Sequence, residues 1–288
     1  MRKNTKGKMI RSSSRAKPQK PTRSKGNKLV RGNPEAIFSF TRDGRRTGAL
    51  ALEFSQPASQ VVRKDQAFLS ESEQQLYKTS IQAAIDNGVY DQYVAYHADM
   101  RHRMHSMSGP VGTQRFLSWH RAFLIKMEEI LRGFSPDLAL PYWNWIAERD
   151  IPGWMKQFLP TGEQKPNGVP IIVTRNPGVD DPNLPTQTEV DAILKADNYL
   201  NFTSELEDGP HNQVHRWVGG TMDDIMWSPA DPIFWMHHAQ IDRIWSIWQQ
   251  SNPSLGPTLT GQDAILDPWN DLTADAVQKI NYAYAPPS

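Results

Sequence analysis

The 288-residue chain contains no cysteine. That absence excludes disulfides, thiolate zinc sites, iron–sulfur clusters and thiol nucleophiles, so any metal must be held by imidazole and carboxylate. Long apolar runs are missing as well. The longest charge-free stretch, 244–262, carries Ser, Asn, Gln, Pro and Gly throughout and is unfit for a lipid interior. Acidic residues are absent from the first 32 positions, which hold 12 Lys/Arg. A segment with so little to bury cannot offset its ordering entropy, and it reads as a disordered basic tail. No apolar stretch follows that basic start, so no secretory signal is expected. Arg45-Arg46 is not read as a twin-arginine signal, because only residues 48–52 separate it from Glu53. The expectation is a cytoplasmic protein with neither membrane nor nucleic acid as a partner.

What is present is unevenly spread. Residues 1–58 hold 15 Lys/Arg and 3 Asp/Glu, a balance of +12, whereas the other 230 hold 17 and 28, a balance of −11. Three zones follow: the tail 1–32, an extension 33–59, and a body 60–288. In the extension, two short apolar runs flank a Gly-containing turn and predict a β-hairpin over 37–54. In the body, Ser70 with Glu73 predicts a capping box that opens a helix through Ile85, ended by Asn87-Gly88. A second helix starts near Tyr90, with Tyr90, Val94 and His97 on one face, and a third covers 115–132. Residues 151–187 read as an irregular loop region. Helices return near Glu189, at about 209–218, and over 232–250. The fold class is mainly α: a four-helix-bundle core with long irregular loops and few short strands.

All eight histidines fall in two stretches, 97–120 and 211–238, separated by 90 residues with none. His211 and His215 are four apart, so on a helix both project from one face and can chelate one ion. His237 and His238 are adjacent, about 100° apart on a helix, so only one of them can face that ion. His238 shares a face with Phe234 and Asp242, which predicts an aromatic wall and a hydrogen-bonding carboxylate beside it. A lone buried histidine is more often a satisfied core residue than a ligand. Two clustered sets in a cysteine-free chain argue for a metal, though imidazole alone does not choose among Cu, Zn, Fe and Ni. There is no H-E-x-x-H of a zinc protease and no E-x-x-H of a di-iron bundle.

Longer motifs narrow the choice. The run from His211 to Met222, followed by Asp231-Pro232-Ile233-Phe234-Trp235-Met236-His237-His238 and on to Trp245, resembles the second-copper signature of the tyrosinases. Arg115-Phe116-Leu117-Ser118-Trp119-His120-Arg121 resembles the first-copper motif, and Leu140-Pro141-Tyr142-Trp143-Asn144-Trp145 the aromatic strand after it. The 90–97 segment is similar to the helix bearing the first ligand, and Tyr282-Ala283-Tyr284 to the closing Tyr-x-Tyr element. The resemblance covers about residues 60–285.

It implies two copper ions, one on His97, His105 and His120, the other on His211, His215 and His238, with His237 behind the ligands. His102 competes with His105, because position 111, nine residues before His120, is Val rather than His. The resemblance further implies Phe234 as an aromatic gate, Arg216 as a substrate-binding residue, and Glu207 with Asn212 as the pair that holds a proton-accepting water. Phenolic small molecules and O₂ are the implied partners, together with a copper-delivery partner. The implied activity is hydroxylation of monophenols and oxidation of o-diphenols, as in melanin biosynthesis. The related alternatives are a diphenol-only catechol oxidase and a haemocyanin-like O₂ carrier. Because the chain ends four residues after Tyr284, no C-terminal shielding domain is expected.

Overall fold

Ser70 opens the first helix in the way its sequence predicts. In the computed structural model, which describes residues 62–161, 164–280 and 283–285, its hydroxyl accepts from the Glu73 N–H and Glu73 accepts from the Ser70 N–H. Such a cap contributes about 1 kcal/mol. The basic tail 1–32, the extension 33–59 with its expected hairpin, and Tyr282 lie outside the described residues.

Helix α1 spans Glu71–Asp86 and ends at Asn87, where Gly88 at φ 81° turns the chain directly into α2, Val89–Ala98. Helix α3, Pro110–Phe134, starts five residues before the sequence expectation. Gly109 at φ 75° breaks the preceding chain, and Pro110 supplies the fixed φ that suits a first helical position. The 151–187 region is irregular as expected, apart from the single turn α4, Gly153–Lys156, and a short 3₁₀ turn, Pro166–Gly168. A second capping box, Thr186 with Glu189, opens α5, Gln187–Ile193.

Helix α6, Tyr199–Leu206, is an addition to the sequence reading, and the Asn198 side chain caps it. It runs into a widened π-turn, Glu207–His211, before α7, Asn212–Val218. Pro210 has no N–H to donate and Gly209 leaves the helical region, so the ladder opens by one residue there. The last long helix, α8, is Ile233–Ser251.

Strands are few. β1 (Val62–Arg63) pairs in parallel with β4 (Ala283–Tyr284), and β2 (Ile265–Leu266) pairs antiparallel with β3 (Trp269–Thr273), which leads into the short helix α9, Ala274–Gln278. The 140–145 segment is not a strand. It makes one bridge, Tyr142 to Asp65, and Trp143 N–H donates to the Met236 carbonyl of α8 at 3.0 Å. It runs beside the residues that follow β1, with Tyr142 N–H donating to the Lys64 carbonyl and Gln66 N–H to the Tyr142 carbonyl, both at 2.9 Å, and its indoles fill the core. Trp119, Trp143, Trp145, Trp235, Trp245 and Trp248 are all buried.

One polar cluster in this core overturns an expectation. Asp242 does not flank His238. Its carboxylate accepts from Arg121 Nε at 2.6 Å, Arg63 Nη1 at 3.3 Å and the Tyr284 hydroxyl at 2.5 Å, while His238 Nδ1 has no partner. Arg63 also reaches Glu128 at 3.1 Å. The physical reason is charge. Two buried guanidinium groups outbid a neutral imidazole for a buried carboxylate. The cluster ties β1, α3, α8 and the C-terminal β4 together.

Candidate metal centre

His97, His105 and His120 meet although three different elements carry them. Their donor nitrogens all lie within 4.8 Å of one another, and all three residues are buried. His97 comes from the last turn of α2 and His120 from the middle of α3. His120 Nδ1 donates to the Phe116 carbonyl one turn back at 2.8 Å, which leaves Nε2 with its lone pair, 3.5 Å from His97 Nε2. His105 sits in extended backbone between two 3₁₀ turns. The chain passes so close to α3 there that a Cβ on Gly112 would overlap the His105 carbonyl. Only glycine lets this loop dock.

The structure also separates the two competing histidines. His102 is outside the set: its ring stacks on Trp119 with centroids 6.1 Å apart, and its Nε2 lies 3.9 Å from Asp99.

The second set is more local. His211, His215, His237 and His238 place donor nitrogens within 4.8 Å of one another. His215 Nδ1 donates to the Met222 carbonyl at 2.6 Å, and its Nε2 stands 3.3 Å from His238 Nε2. His237 is fully buried, and the His211 backbone approaches it without a well-formed hydrogen bond. The two sets face each other: the His120 and His238 rings stack at 4.4 Å, and His105 and His211 lie 6.0 Å apart. Of the eight histidines His215 is the most exposed, so the second set comes nearest the surface there.

Burial pushes His97, His120, His211, His237 and His238 well below the ordinary histidine range, and the neighbouring imidazoles push the same way. His215 is lowered to about 4, again chiefly by burial. At neutral pH these imidazoles are uncharged and offer lone pairs. His105 Nε2 and His211 Nε2 are buried without any hydrogen-bond partner. Buried polar atoms left unsatisfied cost free energy, and here they converge on two points, as metal-donor sets do.

The remaining site residues fall around these sets. Glu207, buried in the π-turn, accepts from the Ser106 N–H at 2.9 Å and faces His105 Nδ1 at 3.3 Å through the same oxygen, while Oε2 is unpartnered. It is a direct link from the second set's turn to the first set's loop. Asn212 Oδ1 lies 3.0 Å from His211 Nδ1. Phe234 is fully buried and touches imidazoles of both sets, 4.1 Å from His238 and 5.2 Å from His97 between centroids. It stands inside the centre rather than at its opening. Arg216 is half-exposed and pairs with Asp181 at 3.6 Å.

Sequence reasoning missed two features. Phe116 walls the centre from the other side, 4.8 Å from His211 and 5.0 Å from His120, and its i−4 spacing from His120 could have shown it. Ile225 and Met226 are exposed apolar residues in the loop after Met222, and no periodic signal marks them.

A family model described as the common central domain of tyrosinase matches residues 87–177 and 152–251. The tyrosinase of Streptomyces antibioticus is 32% identical over 266 residues, which cover 75% of this chain and 95% of that one. The chain belongs to the tyrosinase family. Streptomyces galbus tyrosinase is likewise 32% identical, over 73% of this chain and 94% of its own. Among solved structures, a functional unit from Octopus hemocyanin has a TM-score of 0.57 at 20% identity, covering 78% of this chain and 68% of that one. A polyphenol oxidase from Thermothelomyces thermophila has a TM-score of 0.54 at 21% identity, covering 73% of each chain. These two likenesses show the shared helical fold.

As a member of the tyrosinase family the protein is a copper-dependent oxidase that acts on phenols with O₂, and its cofactor is a pair of copper ions. The donor sets fit that cofactor. Among the described residues each set supplies at least three imidazoles and no carboxylate enters either, and the chain has no thiolate to compete.

Proposed function

We propose that the protein hydroxylates monophenols and oxidises o-diphenols to o-quinones, the chemistry that starts melanin formation. Copper would be held by His97, His105 and His120 on one side and by His211, His215 and His238 on the other. Bound copper would supply the Cu(I)/Cu(II) redox change and the coordination of O₂ and of the phenol oxygen. The chain's own residues do the rest. Phe116 and Phe234 exclude water from the space between the sets, and a flat ring entering past His215 meets Phe234 as its inner wall. Arg216 borders the entry from outside. Five of the six donors are buried, so loading through the His215 edge is the step at which a copper-delivery partner would act.

The observation that carries the monophenol reading is the free oxygen of Glu207. A monophenol has a pKa of about 10 and must lose its proton to bind a metal. Glu207 Oε1 is committed to Ser106 and His105, but Oε2 is buried and has no partner, and Asn212 follows the His211 that faces His105. A water held between that carboxylate oxygen and the Asn212 amide would take the phenol proton.

Glu207→Gln keeps a carbonyl oxygen for Ser106 and His105 while removing the proton acceptor. With copper content at two per chain, Glu207→Gln and Asn212→Gly should each lower tyrosine hydroxylation at least about tenfold more than catechol oxidation. If both activities fall in parallel at full copper content, Glu207 serves only to orient His105, and the enzyme is a catechol oxidase.

A further inference from the structure

One buried histidine is still without a role. His237 is fully buried, and neither of its ring nitrogens has a well-formed hydrogen bond. Adjacent positions on a helix point about 100° apart, so only one of His237 and His238 is expected to face an ion. The structure departs from that expectation. Between ring centroids, His211 is 5.5 Å from His237 and 5.0 Å from His238, and His215 is 4.9 Å from His237 and 5.5 Å from His238. The i,i+4 pair therefore straddles both rings, and all four donor nitrogens lie within 4.8 Å of one another.

What differs is the far side of each ring. His238 stacks on His120 of the first set at 4.4 Å and touches Phe234 at 4.1 Å. Among the described residues, the ring contacts of His237 are with Trp145, at 6.5 Å, and with the other three histidines of its own set. The Trp145 indole N–H makes no hydrogen bond, so His237 gains no polar partner there. His238 turns toward the first set and His237 away from it.

His237 is also held as a ligand is held. A neutral imidazole has one N–H and one lone pair, and ligating histidines commonly donate the N–H to a backbone carbonyl. His120 and His215 do so to Phe116 and Met222. The His211 backbone approaches His237 in the same sense, which leaves the other nitrogen buried with no donor to meet its lone pair. Packing alone does not account for this residue. An apolar ring of that size would fill the space without burying unsatisfied nitrogens.

We propose that His237 is a metal donor, completing with His211 and His215 an alternative position for the second copper ion on the side away from the first set. His237 and His238 alternate about the shared pair. His237 holds the ion until the first set is loaded, and His238 then takes it over. Imidazole donors at about 2.1 Å from one ion lie at most about 4 Å apart, so the rings need close up by under about 1 Å. The proposal rests on the copper reading of the centre and not on its phenol chemistry.

Equilibrium dialysis of copper alone against full-length variants tests it through metal content. His238→Phe should still bind two ions per chain, because His211, His215 and His237 remain, whereas His237→Phe combined with His238→Phe should bind one. A second measurement covers the case of variants at position 238 that fold poorly. In His120→Ala, which disables the first set, adding His237→Phe should change the EPR spectrum of the single Cu(II) and raise its Kd at least about tenfold. One ion in His238→Phe, two in the double variant, or a His120→Ala site whose spectrum and Kd ignore His237→Phe would overturn the proposal. A wild type that does not bind two copper ions would instead overturn the copper reading beneath it.

Discussion

Helices α3 and α8 each contribute to two polar clusters that are completed in opposite ways. In the first, Arg63 and Arg121 are buried against Glu128 and Asp242, two charges of each sign, joined by the Tyr284 hydroxyl. In the second, seven imidazoles are gathered in two sets, and His105 Nε2 and His211 Nε2 have no partner in the protein. Neighbouring residues serve the two: His120 faces the metal donors and Arg121 the ion cluster, His238 the donors and Asp242 the ions. The difference teaches how to read polar burial. A buried polar group that its neighbours satisfy holds the fold together. One that they leave unsatisfied waits for something from outside.

Breaking the ion cluster should therefore cost stability and leave the metal sites filled. Asp242→Ala removes the carboxylate that Arg63 and Arg121 share in the core, and loss of one partner of such a buried group destabilises by about 3–5 kcal/mol. Urea unfolding of the copper-free variant measures this, and copper per folded chain should stay at two. A variant as stable as the wild type would show that the cluster contributes nothing net.

The histidine side of the comparison is sharpened by the pair that sequence could not separate. His105→Ala should lose the first ion, because it removes one of three donors within 4.8 Å, whereas His102→Ala should keep both ions, since its ring packs on Trp119 outside the set. Equal loss in both variants would break the assignment.

A smaller effect separates the clusters by pH. Histidine in the unfolded chain titrates at about 6.5, and the folded imidazoles lie lower, His215 at about 4. Below pH of about 6.5 the unfolded state therefore binds protons that the folded core refuses, so stability falls as pH drops from there toward the folded values. Copper-free protein should show this slope between about pH 6.5 and 4. Variants that replace a buried ligand histidine by Phe should show a shallower one, and an unchanged slope would mean that those histidines are not buried neutral.

Helical spacing made much of the fold and half of the centre legible. The capping box at Ser70, the face of Tyr90, Val94 and His97, and the i,i+4 pair His211 and His215 all depend on periodicity along one chain segment. What spacing could not give lies where periodicity stops. His105 sits in a loop whose path depends on Gly112, a residue of the next helix. Glu207 and His211 are set by a π-turn that Gly209 and Pro210 force open. The i,i+4 spacing of His238 and Asp242 on α8 predicts a contact between them, yet the partners of Asp242 come from β1, α3 and β4. A helical face says which neighbours are available. It does not say which one offers the stronger charge.

The central claim is that the two facing histidine sets are two halves of one copper centre. Titrating copper into metal-free protein, while following bound metal and catechol oxidation together, tests it most directly. Two ions should bind per chain, with oxidation appearing only as the second site fills, and His120→Ala and His215→Ala should each bind about one ion and lose nearly all activity. Full activity with a single ion or with zinc, or two ions retained by either variant, would contradict it.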